Sequence, residues 1–292
     1  MSIHALTERA MVMNLSIGVW QGYRLDREAS RKVTEEAGAD ADAARVNKHL
    51  VAKESLKPIV AAQGAVRTHF YENTLPWRDN GDRLMTRQLY LTFIPEHERL
   101  VSEFHDAVDH FLAVDYPAAI AKAEFRMGDL FNRDDYPAAS ELRRRFYIGL
   151  DIDAVTTSND FRVQIDEEHA AQVRSSMESA AEKRIHTAMQ DVWRRMAETV
   201  GRFAERLGTP DAVFRDTTVT SVAELIDMIP GLNVLDDPAI EEIRLLVSKQ
   251  LTGVDAKAIR NDPELRSELA DDAKAIVDKM SGFMKAFGGG FE

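Results

Sequence analysis

The spacing of apolar residues changes period several times along this chain, and each change predicts an element. Leu15, Ile17 and Val19 alternate with Ser16 and Gly18, which is strand spacing. A strand is therefore expected over 12–25, with Gly18 and Gly22 marking a bulge or a close neighbour. Asp26 is placed to cap a helix that runs to Glu36 and stops at Gly38. Val46, Leu50, Leu56, Val60 and Phe70 recur at helical intervals and predict helix over 39–74, kinked or divided at Pro58. The turn-rich segment NTLPWRDNGD, 73–82, reads as a loop. Leu89, Leu91 and Phe93 alternate and predict a strand over 84–94. Pro95 and Glu96 then open a helix striped by Leu100, Val101, Phe104, Val108, Phe111 and Leu112. The clearest strand lies over 146–157, where Phe146, Ile148, Leu150 and Ile152 alternate with polar residues. FRVQI, 161–165, follows as a second strand after the turn at Ser158–Asp160.

Asp166 caps the next element. From Val173 to Leu207, apolar residues step by three or four without a break and predict one helix over 167–207. At 1.5 Å per residue it is about 60 Å long. A helix of that length pairs with another as a hairpin or arm, or takes part in oligomerisation. Gly208, Thr209 and Pro210 end it and mark the best boundary. Beyond them, shorter helices are expected over 221–228, 238–251, 254–260 and 263–287, with Ser221 and Glu224 forming a capping box. The resulting expectation is an α+β fold, predominantly α. A long helical hairpin or arm stands on a small antiparallel sheet (1–207), and an acidic helical C-terminal subdomain follows (208–292), ending in the glycine tether GGGFE.

The pentapeptide DYPAA occurs twice, from Asp115 and from Asp135. Proline is tolerated in the first turn of a helix, where its missing N–H has no partner to lose, and the residue before it avoids helical geometry. Each copy therefore reads as a helix restart, with Tyr116 and Tyr136 at the breaks. The alternative is a paired recognition surface formed by the two tyrosines.

Composition removes whole classes of chemistry. Cysteine is absent, which excludes disulfides, thiolate catalysis and zinc–thiolate sites. The chain has 49 acidic and 37 basic side chains, net −12, which argues against broad wrapping of duplex DNA while leaving room for a local basic groove. Residues 208–292 hold 16 acidic and 9 basic side chains, more than half of that net charge. No apolar run is long enough for a transmembrane helix. The first ten residues lack the basic and apolar regions of a secretory leader, so a cytoplasmic location is expected.

No phosphate loop, dinucleotide fingerprint or serine-hydrolase elbow is present. Glu98, His105 and Asp109 could share a helix face, but without H-E-x-x-H order or a second ligand cluster. Asp151 and Asp153 share a strand face and read as its polar outer side. The mixture of Arg143, Arg144 and Arg145 with Tyr147, and of Trp20 with Tyr23 and Arg24, suits single-stranded nucleic acid. There, bases stack on rings and guanidinium groups meet phosphates. No catalytic residue, metal or cofactor is assigned.

Three segments carry a family resemblance. They are F-x-x-A-V-x-x-F-L with its following Tyr-Pro (Phe104 to Pro117), DYPAASELRRRF, and the strand ending DFRVQI before the long helix with Trp193. In these the chain resembles, over about residues 10–235, an uncharacterised family of phage and prophage proteins found beside MoxR-type AAA ATPases and von Willebrand A-type proteins. The resemblance implies an adaptor or recruiting role in the host cell cytoplasm, with no catalytic residues to carry over. The expected function is accordingly that of a non-enzymatic phage accessory protein acting by oligomerisation and protein–protein contact, with an AAA ATPase as candidate partner. The alternative is a single-stranded DNA-binding protein of phage DNA metabolism.

Overall fold

The computed structural model describes residues 3–209 and 214–286. In chain order the elements are α1 (Ile3–Thr7), β1 (Ala10–Gly18), β2 (Tyr23–Asp26), α2 (Arg27–Glu36), β3 (Val46–His49), α3 (Lys53–Glu72), β4 (Leu75–Pro76), β5 (Arg83–Thr86) and α4 (Arg87–His110). They continue with α5 (Tyr116–Met127), α6 (Ala139–Arg143), β6 (Tyr147–Ala154), α7 (Glu167–Gly208), α8 (Asp216–Leu232), α9 (Pro238–Gln250), α10 (Ala256–Asn261) and α11 (Pro263–Ala286). The protein is α+β and mostly α. Four strands run in the order β4–β5–β1–β6, and β2 and β3 form a separate two-stranded ladder.

The chain divides into two compact units. One comprises Met1–Asn14, Tyr71–Phe93 and Asp151–Glu292; the other comprises Leu15–Phe70 and Ile94–Leu150. The expected boundary at Gly208 does not separate them, because α8 to α11 belong to the same unit as α7. The tail from 287 onward lies outside the described residues.

In the first unit α7 is the spine. Its residues from Ala181 to Leu207 bury Ile185, Met189, Val192, Trp193, Met196, Val200 and Phe203. The partner is α11: Trp193 packs on Phe283 at 5.8 Å, and Arg266 donates to the carbonyl of Leu207 at 2.9 Å. Position rises on one helix as it falls on the other, so the pair is antiparallel. Arg266 also reaches the carbonyls of Arg206 and Thr209, satisfying acceptors that the end of a helix leaves open. Arg195 does the same at the end of α3, donating to Tyr71, Glu72 and Thr74. Arg83 lies over the Tyr71 ring at 4.5 Å. Burial, with Arg195 beside it, lowers its pKa to about 10. On the sheet side, β1 pairs antiparallel with β5 from Ala10↔Thr86 to Met13↔Arg83.

Several expectations are corrected. The segment 84–94 is a strand only to Thr86. Leu89 and Phe93 are buried four residues apart while Leu91 stays exposed, so helical spacing prevails over the apparent alternation. Pro95 lies within α4 and does not open it, and Pro58 lies within an unbroken α3. Residues 39–52 hold β3 in place of helix. The stretch 12–25 is two strands, divided at a turn where Gly22 has φ +69°. Ser221 is interior to α8 and donates to the Thr217 carbonyl. FRVQI forms no strand: Phe161 is extended, but 161–165 pairs with no strand among the described residues. By contrast, Asp26 and Asp166 cap their helices as expected, accepting from Ala29 and His169.

Gly231 of α8 sits on α4. Its carbonyl accepts from Thr86 Oγ1 at 2.9 Å, and a methyl added there would stand 2.4 Å from Leu89 Cγ. Alanine favours a helix interior over glycine by about 1 kcal/mol, but overpacking a core costs about 1–3 kcal/mol. Gly231→Ala should therefore lower stability by up to about 2 kcal/mol in urea denaturation. An unchanged or higher midpoint would mean that Leu89 is free to move aside.

Candidate functional site

The second unit is organised by the two DYPAA segments, which have different geometries. At the first copy the chain does not break. A π-helical turn, Phe111–Asp115, carries α4 into α5, and the Tyr116 N–H donates to Phe111 in place of residue 112. The wider turn changes the bonding register just before Pro117, where the missing N–H costs little. The expected restart at Tyr116 is thus replaced by a continuous helical path. At the second copy the restart is present: Tyr136 is extended at φ −97°, ψ 101°, and α6 begins at Ala139.

Both tyrosine rings are buried, which leaves no paired recognition surface. The copies are bonded to each other instead. Tyr116 Oη donates to the Pro137 carbonyl at 2.7 Å, and the two rings lie 6.5 Å apart. Tyr136 Oη donates to the Leu50 carbonyl at 3.2 Å. Trp20 packs edge-on against Tyr116 at 5.8 Å. Burial pushes the Tyr116 phenol up to about 12 and raises that of Tyr136.

Asp135, just before Tyr136, turns toward the β2–β3 ladder. Its buried carboxylate meets Lys48 of β3 and Arg24 of β2 at 3.0 Å. Lys48 also reaches Asp26 at 3.3 Å and the Leu130 carbonyl at 3.3 Å. Burial opposes the ammonium charge, but the hydrogen bonds to Asp135 and Asp26 outweigh it and raise the Lys48 pKa. Of this group only Lys48 was not singled out from the sequence; Arg24, Asp26 and Asp135 were read separately, as a nucleic-acid contact, a helix cap and the start of the second DYPAA, with no local sign that they meet.

Beside this network is a cleft of about 320 Å³ lined by Trp20, Tyr23, Arg24, Leu50, Asp135, Pro137 and Arg145. The structure thus brings together four of the seven residues expected to bind nucleic acid. Trp20 is only 6 % exposed and offers an edge at most, whereas Tyr23 is 46 % exposed. Arg24 is held by Asp135 and by the Asp134 carbonyl. Arg145 is exposed and has no ion-pair partner among the described residues. Arg143 pairs with Asp109 at 3.3 Å. Arg144 and Tyr147 do not line the cleft. Tyr147 is 51 % exposed and lies against Gly18, where any Cβ would collide with its ring at 2.2 Å. Phe146 faces the core.

The histidine-rich stretch does not form a metal centre: among the described residues no three His, Asp or Glu side chains converge. Burial, then the charge of His69, lowers the pKa of His97. Among the described residues no helix is long and apolar enough to cross a membrane. Compared with protein-family models, with curated proteins and with solved structures, the chain finds no match in any of the three.

Two outcomes test this arrangement. Asp135→Asn strips the buried carboxylate from Lys48 and Arg24. Breaking a buried pair on one side costs about 3–5 kcal/mol, so the lower end of that range is expected in urea denaturation. A loss below about 1 kcal/mol would show that water can replace the carboxylate. Tyr116→Phe removes one hydrogen bond and should cost about 1 kcal/mol. Because the folded phenol titrates above its unfolded value of about 10, its contribution is complete below pH 10 and is lost as pH rises through about 12. Stability of the parent chain should therefore fall over that window more steeply than that of Tyr116→Phe; identical alkaline profiles would refute the assignment.

Proposed function

We propose that this chain is a non-enzymatic accessory protein that works through protein–protein contact and self-assembly, with the first turns of α7 as its contact surface. One observation carries the reading. From Glu167 to Ala180 only Ala170 is buried, although the rest of the helix is the spine of its unit. The exposed face presents two rows of small side chains at intervals of four: Ala171, Ser175 and Ser179, and beside them Ser176 and Ala180, the second row preceded by Gln172. Small side chains let a second helix approach closely, since interaxial distance follows the residues at the contact. The adaptor role implied by the phage-family resemblance, with an AAA ATPase as partner, is compatible with such a surface.

A second reading keeps the cleft as a binding site for single-stranded nucleic acid. Tyr23 and the unpaired Arg145 favour it. The burial of Trp20 and the pairing of Arg24 and Arg143 with carboxylates weigh against it.

Sedimentation velocity from about 1 to 100 µM should reveal a concentration-dependent oligomer, and Ser175→Arg with Ser179→Arg should weaken it at least tenfold. A monomer throughout that range with no partner captured on α7 would sink the first reading. For the second, a labelled single-stranded oligonucleotide is titrated by fluorescence anisotropy at low and moderate salt. Stacking on an aromatic ring is worth about 1–3 kcal/mol per base, so Tyr23→Ala should weaken binding at least about fivefold. Arg145→Ala should reduce the salt slope by about one. Absence of binding at low salt removes that reading.

A further inference from the structure

We infer that residues 161–165 form an added β-strand on the outer edge of β6 in a second copy of this chain. This rests on the self-assembly reading above and names its contact. Three observations support it. First, β6 is the terminal strand of its sheet, and Asp151 to Ala154 are exposed on it. No backbone group of these residues bonds outside the ladder among the described residues. An edge of this kind presents a row of open donors and acceptors to any extended chain. Second, 161–165 has strand alternation and no strand to join. Val163 and Ile165 are 64 % and 44 % exposed, and the backbone groups of 162–165 meet no backbone partner among the described residues. Third, the two are complementary. Asp151 and Asp153 flank Ile152 on β6, and Arg162 and Gln164 flank Val163 on the segment. Antiparallel pairing sets Arg162 across from a carboxylate and Val163 or Ile165 beside Ile152, and opposite charges or apolar pairs across strands each favour the register.

The segment does not fold back onto its own β6. The residues between them are held in a 3₁₀ turn, where Thr157 N–H and Oγ1 both donate to Asp160 at 2.7 and 2.9 Å. Ser158 then donates to Glu178 of α7 at 2.7 Å. The turn leads the chain into the Asp166 cap, so the free segment and the free edge of one copy are available to another.

The absence of cysteine makes the test direct. Ile152→Cys is mixed with Val163→Cys or Ile165→Cys under oxidised glutathione and followed on a non-reducing gel. At least one mixture should form the covalent dimer ten times faster than Ile152→Cys mixed with Phe125→Cys, whose position is fully exposed. Val163→Pro and Gln164→Pro provide a second arm. Neighbouring N–H groups in a strand point to opposite edges, so one of the two must remove a donor the added strand needs. Neither N–H has a partner among the described residues, so both variants should keep the parent circular dichroism spectrum, and one should weaken dimerisation at least tenfold. A dimer that is lost with Ser175→Arg and Ser179→Arg but insensitive to both prolines, with no preferred cross-link, would overturn this contact and leave the α7 surface standing. A monomer at every concentration would overturn both.

Discussion

A carboxylate that leaves water must be matched by charge and hydrogen bonds, and the second unit is arranged around meeting that demand for Asp135. Isolated burial of the ion would cost several kcal/mol, so Lys48 and Arg24 have to be brought to it. They lie on adjacent strands, paired Arg24↔Lys48 in the β2–β3 ladder, which makes the small ladder the support for the ion cluster. The next residue, Tyr136, faces the other way and closes onto Leu50 and Tyr116. One extended dipeptide thus ties a polar cluster on one side to an aromatic core on the other. The proline that follows fixes the backbone between them. Its carbonyl, which lies at the restart of a helix and needs an acceptor's partner, is served by the tyrosine of the earlier copy. The repeat exists as two halves of one contact.

That arrangement also decides what the neighbouring cleft can do. Arg24 faces it with its charge already balanced by Asp135, and Trp20 is held edge-on in the core. What remains for a ligand is Tyr23 and Arg145, a single ring and a single cation. Such a pair is small for a groove that must follow a nucleic-acid backbone over several nucleotides. The first turns of α7 offer a longer and more regular surface, which is why assembly is the stronger reading.

Where apolar spacing was carried by residues that are buried, the pattern read correctly. The long helix ends within a residue of its expected limits because Val192, Met196, Val200, Phe203 and Leu207 all face α11 and its neighbours. The C-terminal helices follow for the same reason. The pattern misled where exposed residues imitated a period. Leu91 completed a false alternation with Leu89 and Phe93, and Val60 helped extend a helical rhythm back to Val46, yet both are exposed. Neither proline broke its helix, because one lost hydrogen bond is small against a helix face buried along its length. The candidate site was partly legible. Aromatic and arginine residues near 20–24 and at 145 do share a cleft, but composition gave no sign that Arg24 and Arg143 would be neutralised. Ion pairs between residues 111 apart, such as Arg24 and Asp135, have no local signature.

The exposed start of α7 has a physical consequence for binding. A helix of about fourteen residues is marginal in water by itself, because nucleating the first turn is unfavourable. Here nucleation is already complete in the buried stretch from Ala181 to Leu207, and Asp166 satisfies one of the orphan N–H groups of the first turn by accepting from His169. Propagation into solvent then costs little, so Glu167 to Ala180 can stay helical without a partner. A partner docking on that face has no folding cost to supply, and ordering of the binding surface is one of the larger penalties in association. The five residues before the cap share part of the benefit. With Asp160 and Asp166 both fixed by hydrogen bonds, the segment between them is anchored at each end. A strand partner would then meet a short chain whose two ends are already held.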